Sequence, residues 1–183
     1  QMVMALFPLH KVNPIKRVIV DSYQSVSGTG GKAMEELRQQ TQSILIGQNA
    51  ANSEYPHQIA FNALPHIEPF MDDGYTREEQ KMLYETRKIM HAPDIAVSAT
   101  CVRVPVYVSH SEAVHIEFDR SMSPEEATDI LSKFPGVKII DDPQSNEYPL
   151  AINAADKDEV FVGRIRKDSS HPNGLAMWVV SDN

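Results

Sequence analysis

Cysteine is nearly absent from this chain of 183 residues, which contains Cys101 and no other. One thiol cannot form an intrachain disulfide or a zinc site built from several cysteines, so packing and backbone hydrogen bonds must hold the fold. This scarcity is typical of a reducing compartment, and we expect a cytoplasmic protein. No apolar segment approaches the roughly 20 residues that span a bilayer, so no membrane partner is expected.

Basic residues are outnumbered, with 17 Lys and Arg against 25 Asp and Glu and a formal net charge of −8. Nucleic-acid binding requires a concentrated basic surface, and the densest basic cluster is the short run at 164–167. We therefore expect no nucleic-acid partner, while small anionic ligands remain open. The length and the 42% content of hydrophobic residues fit one domain over 1–183.

Hydrophobic periodicity predicts an α+β fold, with a mixed, largely antiparallel sheet and helices packed on one face. Strands are indicated where β-branched residues are concentrated or alternate with polar ones: 15–20, parts of 96–118, 137–140, 160–166 and 175–180. Residues 48–75 show no sustained period and are predicted to form a long irregular connection.

Capping patterns locate the helices. Thr76 followed by Glu79 forms a capping-box signature, and it begins a helix that is predicted to cover about 77–91. Ser123 followed by Pro124 is a similar signature and begins a second, shorter helix.

A glycine-rich turn follows the first predicted strand. Gly28 and Gly30 precede Ala33, which satisfies the loose dinucleotide pattern G-x-G-x-x-A, and an amphipathic helix follows over about 34–45. No βαβ crossover follows, and Lys32 is not followed by Ser or Thr as in a phosphate-binding loop. Spacing alone therefore favours a structural turn.

The seven histidines show no H-x-x-x-H or H-E-x-x-H spacing, so no metal site is expected. His110 is distinctive because it lies in a polar interruption between two strand-like runs, where catalytic groups often occur. Arg103 lies in an otherwise apolar strand, and a buried guanidinium needs an anionic partner. The two side chains can share a pocket only if the strand breaks between them, which Pro105 permits.

Glu85 and Lys88 are three residues apart on one face of the helix at 77–91, where a surface ion pair is the simplest interpretation. Cys101 has no activating neighbour in its apolar strand and is interpreted as a buried structural thiol.

Three motifs in order resemble the bacterial branch of the aspartate-semialdehyde dehydrogenases: YQSVSGTG at 23–30, ETRKI at 85–89, and CVRVPVYVSHSEAV at 101–114. The resemblance extends from the first residue to the last. It implies the C-terminal catalytic and dimerisation domain, with a sheet like that of the C-terminal domain of the glyceraldehyde-3-phosphate dehydrogenase-like fold. A separate N-terminal nucleotide-binding domain and a closing C-terminal helix are expected to lie outside 1–183.

The resemblance implies an oxidoreductase that reductively dephosphorylates L-4-aspartyl phosphate to L-aspartate 4-semialdehyde and phosphate with NADPH. This reaction serves lysine, threonine, methionine and diaminopimelate biosynthesis. By motif, His110 corresponds to the acid/base histidine and Arg103 to the arginine that binds the substrate carboxylate. Glu85 corresponds to the residue that binds the substrate amino group, Lys88 to the phosphate-binding lysine, and Gln24 to the glutamine that orients the substrate.

Ser27 and Gly28 correspond to the turn that approaches the NADP cofactor. The family's nucleophilic cysteine, in an Asn-Cys-Ser/Thr motif, is expected a few residues before Gln1, and Cys101 is not its substitute. The chain alone is therefore predicted to be inactive. The alternative is a non-catalytic homodimerisation module, and a homodimer is expected in either case. An unrelated α+β domain is disfavoured because three motifs agree in order.

Overall fold

A computed structural model describes all residues of the chain, 1–183, and shows one six-stranded sheet with helices. The helices are α1 (Met2–Val12), α2 (Gly31–Leu45), α3 (Arg77–Met90), α4 (Pro124–Ser132) and α5 (Ala151–Ala154). The strands are β1 (Ile15–Gln24), β2 (Ala96–Arg103), β3 (His110–Phe118), β4 (Val137–Ile139), β5 (Val160–Lys167) and β6 (Gly174–Ser181). Short 3₁₀ turns cover Val26–Thr29 and Pro143–Ser145.

The strand order in the sheet is β2-β1-β3-β6-β5-β4. The outer pairs β1–β2 and β4–β5 are parallel, and the three pairings between them are antiparallel. The predicted fold class, a mixed and largely antiparallel sheet, is therefore confirmed. Residues 48–75 form the predicted irregular connection, with isolated bridges as their only sheet pairing.

The main core lies between one face of the sheet and helices α1, α3 and α4. These three helices lie on one face of the sheet, as predicted. Alternation on β3 turns Val114, Ile116 and Phe118 into this core. The sequence pattern had indicated no element at 1–12, yet α1 buries Leu6 and Leu9 completely. Each fully buried leucine contributes about 2 kcal/mol, so core packing outweighs the helix-breaking tendency of Pro8 inside α1.

Two smaller clusters lie outside this core. The short helix α5 contributes Ala154 to a cluster with Phe161 and Val180, on the side of the sheet that α1 does not cover. Helix α2 packs Ala33 and Leu37 against residues of the long connection. The connection is thereby packed against the glycine-rich turn, and the bridge between Leu64 and Arg103 links it to the end of β2.

Both predicted capping signatures form. The Thr76 hydroxyl accepts from the Glu79 N–H at 3.3 Å, and the Glu79 carboxylate accepts from the Thr76 N–H at 2.8 Å. The Ser123 hydroxyl accepts from the Glu126 N–H at 3.1 Å and begins α4. These caps satisfy backbone donors that a helix leaves free at its start. None of the five helices has the length and apolar character needed to cross a membrane.

Candidate active-site cleft

The strand break between Arg103 and His110 forms as predicted: β2 ends at Arg103 and β3 begins at His110. The intervening backbone turns back on the 3₁₀ turn, and the Ser27 N–H donates to the Tyr107 carbonyl oxygen at 3.0 Å. A Cβ atom at Gly28 would lie 3.1 Å from Nη1 of Arg103 and 3.3 Å from Cε1 of His110. The turn therefore lies against both side chains, and any larger residue at position 28 would press on them.

Arg103 is buried without a carboxylate partner. Its side chain is 6% exposed, and its one hydrogen bond runs from Nη1 to the Ser25 carbonyl oxygen at 2.6 Å. No carboxylate lies within ion-pair distance of it. Burial lowers the pKa of Arg103, although arginine remains charged at neutral pH. The remaining guanidinium N–H groups are free to bind an anionic ligand.

His110 is held in one tautomer by Ser25. The Ser25 backbone N–H donates to Nδ1 at 3.3 Å, and the Ser25 hydroxyl lies 3.1 Å from the same atom. Because a backbone N–H can only donate, Nδ1 is an acceptor and the proton of the neutral ring is on Nε2. Burial, together with the nearby charge of Arg103, lowers the pKa of His110 to about 4. The ring is therefore neutral at pH 7.

Two adjoining cavities of ≈ 480 and ≈ 500 Å³ meet at Gln24, Glu78 and His110, which line both. We call the cavity that is lined also by Lys81 and Arg103 the cationic half. Glu54 and Glu68 line it as well, and Lys81 is paired with Glu68 and Glu78, which leaves Arg103 as its unpaired cation. The acidic half is the other cavity, which is lined by additional carboxylates: Glu85, Glu112 and Asp182. A ligand that spans this junction meets the unpaired guanidinium of Arg103 on one side and carboxyl groups on the other. Such an arrangement suits a small zwitterion.

Glu78 joins the two halves. Its Oε1 accepts from Gln24 Nε2 at 3.2 Å, and its Oε2 accepts from Lys81 Nζ at 2.8 Å. Burial opposes ionisation of Glu78, but the hydrogen bonds from Lys81 and Gln24 outweigh it and lower the pKa. Gln24 is buried at the end of β1, so its amide is fixed between the strand and α3.

Helix α3 carries two Glu-x-x-Lys pairs, Glu78 with Lys81 and Glu85 with Lys88, and the second pair is placed differently. Glu85 is exposed and reaches only the acidic half, while Lys88 is exposed and lines neither half. The two pairs are seven residues apart, which is two helical turns or about 10 Å along the axis on the same face. The structure therefore brings Glu78 and Lys81 to Arg103 and His110, and does not bring Lys88 there. In the sequence, the spacing of Glu78 and Lys81 repeats that of Glu85 and Lys88, and this repeat is the signal that points to the first pair.

Ser27 and Gly28 lie at the entrance. The Ser27 hydroxyl donates to Asn183 Oδ1 at 2.9 Å, and the same oxygen accepts from the Ser25 hydroxyl and the Ser109 N–H, each at 3.1 Å. Asn183 is thus a member of the site that the sequence patterns did not indicate. Gly28 is exposed, and its backbone lies beside His110.

Cys101 is a structural thiol, as predicted. The residue is fully buried, and burial strongly raises the pKa of its thiol. Its backbone N–H donates to Oε1 of Glu79 at 3.0 Å, which ties β2 to the start of α3. No group of three His, Cys, Asp or Glu side chains is close enough to hold a metal ion.

Comparison with known proteins gives one family. The semialdehyde dehydrogenase dimerisation domain matches residues 6–183. The aspartate-semialdehyde dehydrogenase of Aquifex aeolicus is 58% identical over 184 residues, covering 100% of this chain and 54% of that protein. The enzyme of Legionella pneumophila is 54% identical over 184 residues, covering 100% of this chain and 53% of that protein.

Comparison with solved structures also gives aspartate-semialdehyde dehydrogenases. Aspartate-semialdehyde dehydrogenase II of Vibrio cholerae, solved in complex with ASA, superimposes with a TM-score of 0.96 at 44% identity, covering 100% of this chain and 54% of that one. The Candida albicans enzyme, solved with NADP, shares the fold with a TM-score of 0.69 at 23% identity, covering 98% of this chain and 49% of that one.

The fold and the cleft together define a dimerisation domain of the dehydrogenase type. The chain belongs to the semialdehyde dehydrogenase dimerisation domain family, and it corresponds to the C-terminal half of the aspartate-semialdehyde dehydrogenases, as the motifs indicated. It spans about half the length of the curated relatives that it matches.

Proposed function

We propose that this chain provides the substrate-binding and dimerisation half of an NADP-dependent aspartate-semialdehyde dehydrogenase. The reaction is the reductive dephosphorylation of L-4-aspartyl phosphate to L-aspartate 4-semialdehyde and phosphate. The observation that carries the proposal is the buried guanidinium of Arg103, which has no carboxylate partner in the chain. Leaving a buried charge unpaired is costly, so an anionic ligand is the expected partner.

The substrate is an amino acid, and each half of the cleft suits one of its groups. Arg103 binds the α-carboxylate, because its planar fork matches a carboxylate. Glu78 binds the α-ammonium group, and Gln24 orients the substrate between them. Lys81 lies in the same cationic half and binds the phosphate group as a point charge. These assignments replace the motif-based assignments of Glu85 and Lys88, because α3 presents Glu78 and Lys81 at the junction.

His110 is the acid/base group. It is neutral at pH 7 with the proton on Nε2, so it can donate a proton to a developing charge and recover it later. Gln1 donates from Nε2 to the His110 carbonyl oxygen at 3.3 Å, so the start of α1 lies beside this histidine. A nucleophilic cysteine a few residues before Gln1, as the resemblance implies, would enter the cleft at this point.

NADP, when bound, supplies the hydride. The exposed backbone of Gly28 would receive its reactive ring beside His110, and Ser27 is held in place by Asn183. The one cysteine of the chain is buried with a raised thiol pKa and cannot serve as the nucleophile. We therefore expect no NADP-dependent turnover by the 183-residue chain alone. Turnover by the purified chain would contradict this expectation.

Calorimetric titration of the chain with L-aspartate tests the site, because this probe carries both α-groups of the substrate. Arg103→Ala should abolish binding, and Glu78→Gln should weaken L-aspartate binding more than phosphate binding. Arg120→Ala is the matched control, since Arg120 pairs with Glu126 at the surface away from the cleft. Equal affinity of the wild type and Arg103→Ala would overturn the proposed function.

A second candidate function is a homodimerisation module, which a separate observation favours. The sheet face opposite α1 leaves apolar side chains in solvent: Ile19 is 37% exposed and Tyr23 is 36% exposed, with Trp178 packed against Tyr23 at 5.7 Å. Sedimentation should show a dimer that Ile19→Asp dissociates. Val12→Asp, at an exposed apolar position at the end of α1, is the control. A wild-type monomer at micromolar concentration would count against this candidate.

A further inference from the structure

Two buried polar side chains of α2 hold part of the long connection. Glu36 is 5% exposed, and its Oε2 accepts from the Ser53 N–H at 2.9 Å and the Ser53 hydroxyl at 2.6 Å. The Glu54 N–H donates to the same oxygen. Burial alone would raise the pKa of Glu36, but these hydrogen bonds lower it, so the group is a carboxylate at neutral pH.

Gln40, one turn further along α2, completes this attachment. Its Nε2 donates to the Ala51 carbonyl oxygen at 2.9 Å. Its Oε1 accepts from the N–H groups of Ile59 and Ala60 at 2.9 and 3.0 Å. Glu36 and Gln40 thus bind both ends of the segment 51–60, and we call this set of contacts the α2 clamp.

Tyr55 lies in the middle of the clamped segment and lines the cationic half of the cleft with Thr29 and Arg103. Its hydroxyl donates to Thr29 Oγ1 at 2.9 Å. Because Tyr55 occupies an acceptor position of Thr29, the Thr29 hydroxyl hydrogen remains free to donate elsewhere. A donor whose oxygen already accepts a hydrogen bond is polarised and binds an anion more strongly.

We propose that the hydroxyl groups of Tyr55 and Thr29 form an oxyanion-binding site in the cationic half of the cleft, held in place by the α2 clamp. This inference deepens the proposed function and rests on it. Arg103 lines the same cavity and supplies the charge that attracts the anion, and the Thr29 hydroxyl supplies a directed neutral donor. Thr29 contacts the ligand, while Tyr55, whose hydroxyl hydrogen is donated to Thr29, acts as a positioning residue together with Glu36 and Gln40.

The oxyanion is a phosphate or a carboxylate, and two probes separate these sources. The full chain is titrated with inorganic phosphate and, separately, with L-aspartate. A hydrogen bond to a charged group changes affinity roughly tenfold, so Thr29→Val should weaken the binding of one probe by about this factor. Tyr55→Phe removes only the hydrogen bond that polarises Thr29, so it should weaken the binding of the same probe by a smaller factor. Tyr84→Phe, which removes a hydroxyl from an exposed tyrosine of α3, is the matched control.

Weaker binding of phosphate alone identifies a phosphate site, and weaker binding of L-aspartate alone identifies a carboxylate site. Either result supports the inference. Unchanged affinities for both probes in Tyr55→Phe and Thr29→Val overturn it. If Arg103→Ala abolishes binding at the same time, the proposed function stands and only the hydroxyl site fails. A wild-type chain that binds neither probe overturns both.

The α2 clamp has its own measurement, which needs no ligand. Glu36→Gln removes the negative charge and replaces one of the two acceptor oxygens with an NH2 group, so the hydrogen bonds weaken and the amide hydrogens of Ser53 and Glu54 should exchange with solvent at least tenfold faster. Glu35→Gln is the matched control, because Glu35 is exposed and pairs with Arg38. Unchanged exchange in Glu36→Gln would overturn the positioning role. If Glu36→Gln does not fold, amide exchange is measured instead in Gln40→Glu, which removes the donor to the Ala51 carbonyl oxygen.

Discussion

His110 and Glu112 lie two positions apart on β3 and line the same acidic half of the cleft, where burial opposes the charged form of each side chain. Burial lowers the pKa of His110 to about 4 and raises the pKa of Glu112 to about 7. Oε2 of Glu112 has no hydrogen-bond partner. An imidazole and a carboxyl group in one pocket therefore respond to pH in opposite directions.

The first prediction concerns unfolding between pH 4.5 and 6.5. The lowered pKa of His110 gives stability that is present above its ordinary pKa of 6.5 and is lost as pH falls towards about 4. The raised pKa of Glu112 gives stability that is present below its ordinary pKa of 4.5 and is lost as pH rises towards about 7. In the wild type, the two groups therefore change the free energy of unfolding with pH in opposite directions.

Urea unfolding at several pH values separates these slopes. In Glu112→Gln the free energy of unfolding should rise with pH over this range, and in His110→Gln it should fall. Each change amounts to at most about 3 kcal/mol, because one pKa unit corresponds to about 1.4 kcal/mol. The two variants serve as controls for each other. Parallel slopes in both variants would contradict the pKa assignments.

The second prediction concerns the contact between the glycine-rich turn and the cleft. Gly28→Ala would place a Cβ atom 3.1 Å from Arg103 Nη1, so the guanidinium must move and L-aspartate affinity should fall several-fold. Gly31→Ala is the control, because no atom lies within 4 Å of its added Cβ. It should preserve binding and stabilise α2 by roughly 0.5 kcal/mol. Wild-type affinity in Gly28→Ala would show that Arg103 does not bind the probe.

The third prediction distinguishes the two Glu-x-x-Lys pairs of α3. Lys81→Gln should weaken phosphate binding several-fold at low salt, because Lys81 lines the cationic half. Lys88→Gln, the same change two helical turns away, should leave phosphate affinity unaltered. A larger effect of Lys88→Gln would restore the assignment that the motif suggested.

The fourth prediction concerns the thiol of Cys101. Because the residue is fully buried and its pKa is raised, iodoacetamide should not alkylate the folded chain at pH 8 faster than the chain unfolds. Mass spectrometry of the folded and the urea-unfolded chain measures the difference, and the unfolded sample should react completely. Rapid alkylation of the folded chain would show that Cys101 is accessible.

Local signals in the sequence were sufficient for much of the fold. The capping residues Thr76 and Ser123 predicted where α3 and α4 begin, because a cap depends only on contacts within one helical turn. Alternation predicted β3 for the same reason. Helix α1 was missed because Pro8 is a helix breaker locally, and only packing against the sheet offsets it.

The candidate site was predicted in part. The motif around Arg103 and His110 identified both residues, since their identity and order are written in one continuous segment. The roles of Glu85 and Lys88 stay predictions, and the structure places Glu78 and Lys81, not Lys88, at the junction of the cavities. A helix repeats nearly the same face every seven residues, so sequence spacing alone does not distinguish the two turns. The hydrogen bond between Gln24 and Glu78, which makes this distinction, joins residues 54 positions apart.

The sequence by itself therefore determined the family, the fold class and the segments that carry the cleft, because these depend on periodicity, caps and contiguous motifs. Only the tertiary structure decided which α3 pair enters the cleft and that Arg103 is buried without a carboxylate. It also decided the directions in which burial shifts the pKa values of His110 and Glu112, and it placed Tyr55 in the same cavity as Arg103. These properties depend on the burial of single side chains and on distances between segments that lie far apart in the chain. No local sequence pattern contains this information.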